Sequence, residues 1–251
     1  MYYYNTMSEF IIQNLQTIQR RIKAACEKAN RNSEEVKLLL ATKTVDAERI
    51  KFALQQGLNL VGENKVQELK QKGSMLQSLE AEVHFIGHLQ TNKIKEVIKW
   101  ATCIESIDRF ALAEKLHNRL TLEQKTMDVF IQVNTSYEAS KFGVAPEHAL
   151  ELIQQVAQLD TIRIKGLMTI GLFSEAPEKV RKCFRLLKDL QQQAFDLNLS
   201  NVDLQELSMG MSGDLEIAIE EGATIVRVGT AIFGERIYPD SYYWNEDTQI
   251  L

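Results

Sequence analysis

The chain has 251 residues, 45% hydrophobic and 25% charged, with 29 Lys and Arg against 34 Asp and Glu for a net charge of −5. That leaves room for a well-buried core, and an acidic balance with no basic run among aromatics argues against a nucleic-acid binder. No stretch approaches the roughly 20 apolar residues that cross a bilayer, and the opening MYYYNTM has no signal-peptide pattern, so neither membrane nor export is expected.

Residues 1–7 read as an extension outside the fold, expected to be poorly ordered. Over 8–30, Phe10, Ile11, Leu15, Ile18, Ile22, Ala25 and Ala29 fall near one helical face, which predicts a lead-in helix. Residues 36–42 (VKLLLAT) read as a strand. A helix over 46–56 follows, with Asp46 as N-cap and Gly57 as C-cap. A short strand at 60–61, a helix over 64–79, a strand at 83–86 and a helix over 92–100 come next. A strand at 103–106 leads to a helix capped by Asp108 and running to 122. The second half repeats the pattern: strands at 127–133, 162–168, 204–207 and 223–228, helices over 146–158, 177–197 and 214–221, and a closing turn at 230–233.

Eight strands alternating with helices in about 250 residues predict a single-domain (β/α)8 barrel. The competing architecture is an open doubly wound sheet. It would place a glycine-rich phosphate turn after the first strand, where this chain has Ala41-Thr42-Lys43-Thr44. Cys26, Cys103 and Cys183 share no metal-like spacing and read as buried free thiols of a reducing, cytoplasmic compartment.

In such barrels active sites lie at the strand C-termini, so the polar residues after each apolar run are the candidates. Lys43 ends the first strand. Partial burial there would lower its pKa and make it a nucleophile able to form an imine with a carbonyl, whereas the plainer reading is a snorkelling strand-end lysine. Asn64 follows the second strand, as turn, helix cap or ligand contact. His84 reads as core and His88 as facing the mouth, with too few convergent ligands for a metal. The loop Ser208-Met209-Gly210-Met211-Ser212-Gly213-Asp214 puts Ser212 or Gly213 at a helix start, where N–H groups favour an anion. Gly229 and Thr230 close the eighth strand, and loops after strands seven and eight are the usual phosphate site of the fold. Arg227, inside the last strand, needs a buried partner such as a carboxylate or a ring nitrogen.

Several segments in order carry a resemblance: LLLATK (38–43), VGENKVQE (61–68), HFIGHLQTNK (84–93), ESID (105–108), QVNTSYEASKFG (132–143), GLM (166–168), LSMGMSGDLEIAI (207–219) and VRVGTAIFGER (226–236). The chain resembles the pyridoxal phosphate homeostasis proteins, also called YggS-like or PROSC-like. The resemblance implies a barrel like the N-terminal domain of alanine racemase without that enzyme's second domain, and pyridoxal 5′-phosphate (PLP) as cofactor. It implies a Schiff base on Lys43, phosphate contacts from Ser212, Gly229 and Thr230 with Ser208 and Met209 close by, Asn64 near the ring, and Arg227 at the pyridine nitrogen. A cationic arginine there weakens the ring as an electron sink. The implied role is a non-catalytic, monomeric PLP carrier in vitamin B6 homeostasis that hands the vitamer to apo PLP-dependent enzymes. Alternatives are a PLP-dependent amino-acid racemase or decarboxylase and a lysine aldolase of sugar phosphates. Family members often carry a second lysine and a proline after the Schiff-base lysine, whereas this chain reads Thr44-Val45-Asp46. Lys141 matches the family's lysine in the S-K-x-G loop and is an alternative amine.

Overall fold

The computed structural model describes residues 2–234; Met1 and residues 235–251, which include Glu235 and Arg236 of the last motif, lie outside the described residues. Eight strands form a closed, all-parallel barrel in chain order, β1 (Lys37–Ala41), β2 (Leu60–Glu63), β3 (Glu82–Phe85), β4 (Cys103–Ile107), β5 (Met127–Gln132), β6 (Ile162–Met168), β7 (Val202–Ser208) and β8 (Ile225–Val228). Closure comes from β1 pairing with β8, Leu39 opposite Arg227 and Leu40 opposite Val228. The expected barrel is therefore the observed one, and the open sheet is set aside.

The surrounding helices are α1 (Tyr2–Lys28), α2 (Ala47–Leu54), α3 (Val66–Ser78), α4 (Ile94–Val97), α5 (Phe110–Glu123), α6 (Ala149–Val156), α7 (Pro177–Phe195), α8 (Leu215–Glu220) and α9 (Thr230–Phe233). The lead-in helix begins at Tyr2, not at residue 8, because no glycine or proline interrupts 2–28; the boundary drawn after residue 7 falls inside it. Asp46 caps α2 as expected, its side chain accepting from the Arg49 N–H. The α2 C-cap is Gln55, two residues before the expected Gly57, which takes a positive φ of 87° in the following turn. Asp108 does not cap α5: the N-cap is Arg109, and Asp108 instead accepts from the Arg109 guanidinium at 2.5 Å. The helices expected over 92–100 and 146–158 each open with a 3-10 turn, at Thr91–Lys93 and Pro146–His148.

Packing follows the two periodicities of the sequence. On α7, Val180, Cys183, Phe184, Leu187, Leu190 and Ala194 form the buried stripe, which packs on β6 and β7, and α1 turns Ile11, Leu15, Ile18 and Ile22 inward and packs on α8, α9 and α2. Inside the barrel, Leu39, Leu60, Cys103, Phe130, Met168 and Ile225 form a separate apolar plug. Each large side chain buried this way contributes about 1.5–3 kcal/mol. The interior is thus filled below, and the chemistry is confined to the C-terminal ends of the strands. All three cysteines are buried and free, as expected.

Candidate functional site

Lys43 lies two residues beyond β1, and the backbone on both sides of it is held by a buried charge cluster. Lys72 of α3 donates from Nζ to the Thr42 carbonyl, to Glu63 Oε1 and to Glu68 Oε2, each at 2.8 Å. Thr42 donates its hydroxyl to Glu63 Oε1 at 2.6 Å, and the Thr44 N–H donates to Glu68 Oε2 at 2.6 Å. Thr44 pays for this with φ +64°, an unfavourable region for a β-branched residue. Burial pushes the Glu63 carboxyl up, opposed by the Lys72 charge; burial lowers Lys72, but its two carboxylate partners outweigh that and raise it.

Across the β1–β8 seam the loops after β7 and β8 meet. The Ser212 and Thr230 hydroxyls stand 3.5 Å apart. Among the described residues, no acceptor takes a hydrogen bond from the backbone N–H groups of Ser212, Gly213, Gly229 or Thr230. A Cβ on Gly213 would meet nothing within 4 Å, so the space above it is open. The glycine at 229 is required by β1: a Cβ there would lie 2.9 Å from the Ala41 carbonyl oxygen. The Asp214 carboxylate accepts from the Met211 N–H at 2.6 Å and so shapes the β7–α8 loop.

Arg227 does enter the barrel and is buried. Its guanidinium donates to the Ser208 hydroxyl and to the Thr169 carbonyl, both at 2.7 Å. Ser208 in turn donates to Glu105 Oε2 at 2.5 Å, Glu105 Oε1 faces His84 Nδ1 at 2.6 Å, and His84 Nε2 faces Glu82 at 3.1 Å. Burial alone would lower the His84 pKa, but hydrogen bonds to Glu105 and Glu82 outweigh it and raise it to about 9. Burial likewise works against the Glu105 carboxylate, and His84 with Arg227 overcomes it and holds its pKa down. Charges thus alternate along the chain of contacts, which is how buried ions are tolerated. Arg227 itself is lowered by burial and supported by Glu105 and Asp214.

Asn64 follows β2 with its Oδ1 buried and without a hydrogen-bond partner among the described residues, as are Ser106 Oγ and His88 Nδ1. His88 stacks on Phe142 at 3.8 Å between ring centroids, joining the β3 loop to the β5–α6 loop. That loop is tied down by Gln132 donating to the Phe142 carbonyl and by Lys141, which pairs with Glu138 and donates to the Gly171 carbonyl at 2.7 Å. Met209 is the exception among the expected site residues. Its side chain is fully buried in the core between strands and helices, because it falls one pleat from the inward-facing Ser208.

Lys43, Asn64, Ser212, Arg227, Gly229 and Thr230 therefore share the C-terminal face of one barrel. Sequence reading missed Glu63, Glu68, Lys72 and Glu105. For Glu63 and Glu105 the available signal was charge inside a strand, as in β4, where all five residues are buried; for Glu68 and Lys72 it was only an i,i+4 pair on α3. What the face offers is an amine beside a set of open N–H donors, with a buried cation between them and the barrel floor. That set suits a ligand bearing both a carbonyl and an anionic group.

Comparison with known proteins gives concordant matches. The family model for the alanine racemase N-terminal domain covers residues 13–237. A pyridoxal phosphate homeostasis protein of Aquifex aeolicus is 45% identical over 226 residues, 90% of this chain and 98% of that one. Among solved structures, an unknown protein from Bifidobacterium adolescentis is 38% identical and aligns with a TM-score of 0.88 over 91% of this chain and 96% of that one. PipY of Synechococcus elongatus with PLP bound is 30% identical, with a TM-score of 0.71 over 85% of this chain and 100% of that one.

Proposed function

This chain belongs to the family of pyridoxal phosphate homeostasis proteins, and from that premise we propose that it is a reversible carrier of PLP, holding the cofactor on Lys43 at the barrel mouth. PLP binding and a part in its homeostasis follow from the family; the carrier role and the residues are proposed from the geometry of the barrel mouth. When bound, PLP supplies an aldehyde carbon to an amine and a phosphate to N–H donors.

The observation that carries the reading is the coincidence of Lys43 with the open N–H groups of Ser212, Gly213, Gly229 and Thr230 on one face. Those groups, with the two hydroxyls, would hold the phosphate. Lys43 Nζ would hold the aldehyde end, and Asn64 would give its unpartnered Oδ1 to the ring substituents. Arg227 would face the ring nitrogen and, kept cationic by Glu105 nearby, would donate an N–H to it and disfavour its protonation. A site that keeps the ring a weak electron sink favours storage over turnover of amino acids. Tyr137, the only tyrosine whose side chain is among the described residues, is exposed and donates to Glu147, so it offers no second acid or base at Lys43. Recipients would be apo PLP-dependent enzymes, and the resting state a cytoplasmic monomer.

The test is absorption of the purified protein before and after borohydride, then mass spectrometry of a digest. A chromophore bleached by borohydride with pyridoxyl mass on the Lys43 peptide supports the reading. Lys43→Ala should keep the fold and lose that mass. A protein that takes up no added PLP overturns it, and steady turnover of an added amino acid would favour an enzyme instead.

A further inference from the structure

Resting on the PLP reading, we propose that Arg21 and Asn14 of α1, with Arg49 of α2, are positioning residues that make the site selective for the phosphorylated vitamer. All three lie outside the barrel and none is placed to touch the ligand. Each takes a carbonyl of one of the two loops that form the phosphate cup. Arg21 donates to the Ser212 carbonyl at 3.0 Å. Asn14 donates to the Ile232 carbonyl at 3.0 Å, and Arg49 donates to the Phe233 carbonyl.

The consequence follows from peptide geometry. The Ser212 carbonyl and the Gly213 N–H belong to one planar trans unit and point in opposite directions. A guanidinium on α1 that draws the carbonyl toward that helix therefore turns the Gly213 N–H away from it. The Ile232 and Phe233 carbonyls end the turn that starts at Thr230, whose far end is closed by the Phe233 N–H on Gly229 O and the Gly234 N–H on Thr230 O, both at 2.9 Å. Holding that end fixes the direction of the Gly229 and Thr230 N–H groups. Asn14 and Arg21 are seven residues apart, two turns along the same helix face, so one rigid helix sets both loops at once.

Arg21 does not act as a distant counter-charge for the phosphate. Glu216 occupies its fork, at 2.6 Å from Nε and 2.9 Å from the second nitrogen, and neutralises it. Selectivity thus comes from the direction of N–H groups and not from net charge. A lysine at 21 would keep the charge and lose the planar fork that serves Glu216 and Ser212 together.

The experiment is equilibrium binding of PLP and of unphosphorylated pyridoxal to the full chain, for wild type, Arg21→Gln, Arg21→Lys and Asn14→Ala, with thermal unfolding of each. Expected is a loss of about tenfold in PLP affinity for Arg21→Gln, the worth of one misdirected bond to a charged group, with pyridoxal changed less than twofold. Arg21→Lys should fall with Arg21→Gln. Equal losses for both vitamers, or none for PLP, in a folded variant overturn the proposal; if the Arg21 variants do not fold, Asn14→Ala decides by the same ratio. A wild type that binds both vitamers equally would overturn the PLP-cup reading as well. A wild type that discriminates, with variants that keep its ratio, would overturn this inference alone.

Discussion

Replacing Lys72 by methionine should be among the costliest single changes on the barrel face, and for a reason specific to Lys43. The side chains of Glu63 and Glu68 are 0% and 5% exposed, and Lys72, at 9%, is the cation both share. Lys72→Met keeps the volume and leaves two buried carboxylates facing each other. Removing one partner of a buried ion pair costs about 3–5 kcal/mol. At about 2–4 °C per kcal/mol for a chain of this size, Tm should fall by roughly 6–20 °C at pH 8. The deficit should shrink toward pH 5. Burial already raises the Glu63 carboxyl, and removing the opposing Lys72 charge raises it further above its unfolded value, so the stability its proton brings is present in acid and lost as pH rises through the raised pKa. Glu63→Gln added to Lys72→Met should recover part of the loss, since it removes the buried charge left behind. Because the cluster also grips the Thr42 carbonyl and the Thr44 N–H, borohydride-fixed PLP on Lys43 should fall in the single variant even at temperatures where it is folded. Differential scanning calorimetry at pH 5 and pH 8 with the digest assay checks all of this. A single variant within 1 kcal/mol of wild type at pH 8, with no pH dependence of the difference, would refute the reasoning.

Other outcomes follow from the same contacts. The His84 imidazole should stay protonated until about pH 9, and its folded pKa above 6.5 means that stability present below pH 6.5 drains away as pH rises to about 9; the contribution is on the order of 3 kcal/mol. NMR titration of the ring decides it, and a midpoint near 6.5 would show that the contacts with Glu105 and Glu82 do not hold. Gly229→Ala should push the β8 loop off the Ala41 carbonyl, costing about 1–3 kcal/mol and weakening PLP more than pyridoxal; thermal unfolding and the two binding constants check it.

Much of the barrel was legible because its signals are local. β6 was bounded at both ends from its apolar run, since the chain on either side turns at once. Errors arose where distant partners decide. β2 runs on through Glu63 because Thr42 and Lys72 satisfy that carboxylate, and neither lies within the strand. β7 takes in Val202 and Asp203 at its start and Ser208 at its end, the last because Arg227 and Glu105, both distant in sequence, satisfy its inward-facing hydroxyl. Asp108 looked like a cap, but the arginine beside it offered a stronger partner. At the proposed site, Lys43 and the late loops stood out from their place after apolar runs, and Arg227 from its charge inside the last one. Met209 was placed with them by likeness to a family, and strand alternation turns its side chain the other way. The holders of the loops, Asn14 and Arg21, could not be read from pattern at all: on α1 they are polar residues on a helix, and only the fold brings them to residues 212 and 232.

That separation has a kinetic consequence. The barrel shuts only when β1 meets β8, and the two late loops acquire their outer supports only when α1 docks on them. Contacts that join positions nearly 200 residues apart carry the largest loop-closure entropy and form late. A nascent chain would therefore gain its strands and most of its core before it could bind a vitamer. PLP capture becomes a report on completed synthesis, and stopped-flow refolding should show ligand uptake lagging behind the recovery of helical circular dichroism.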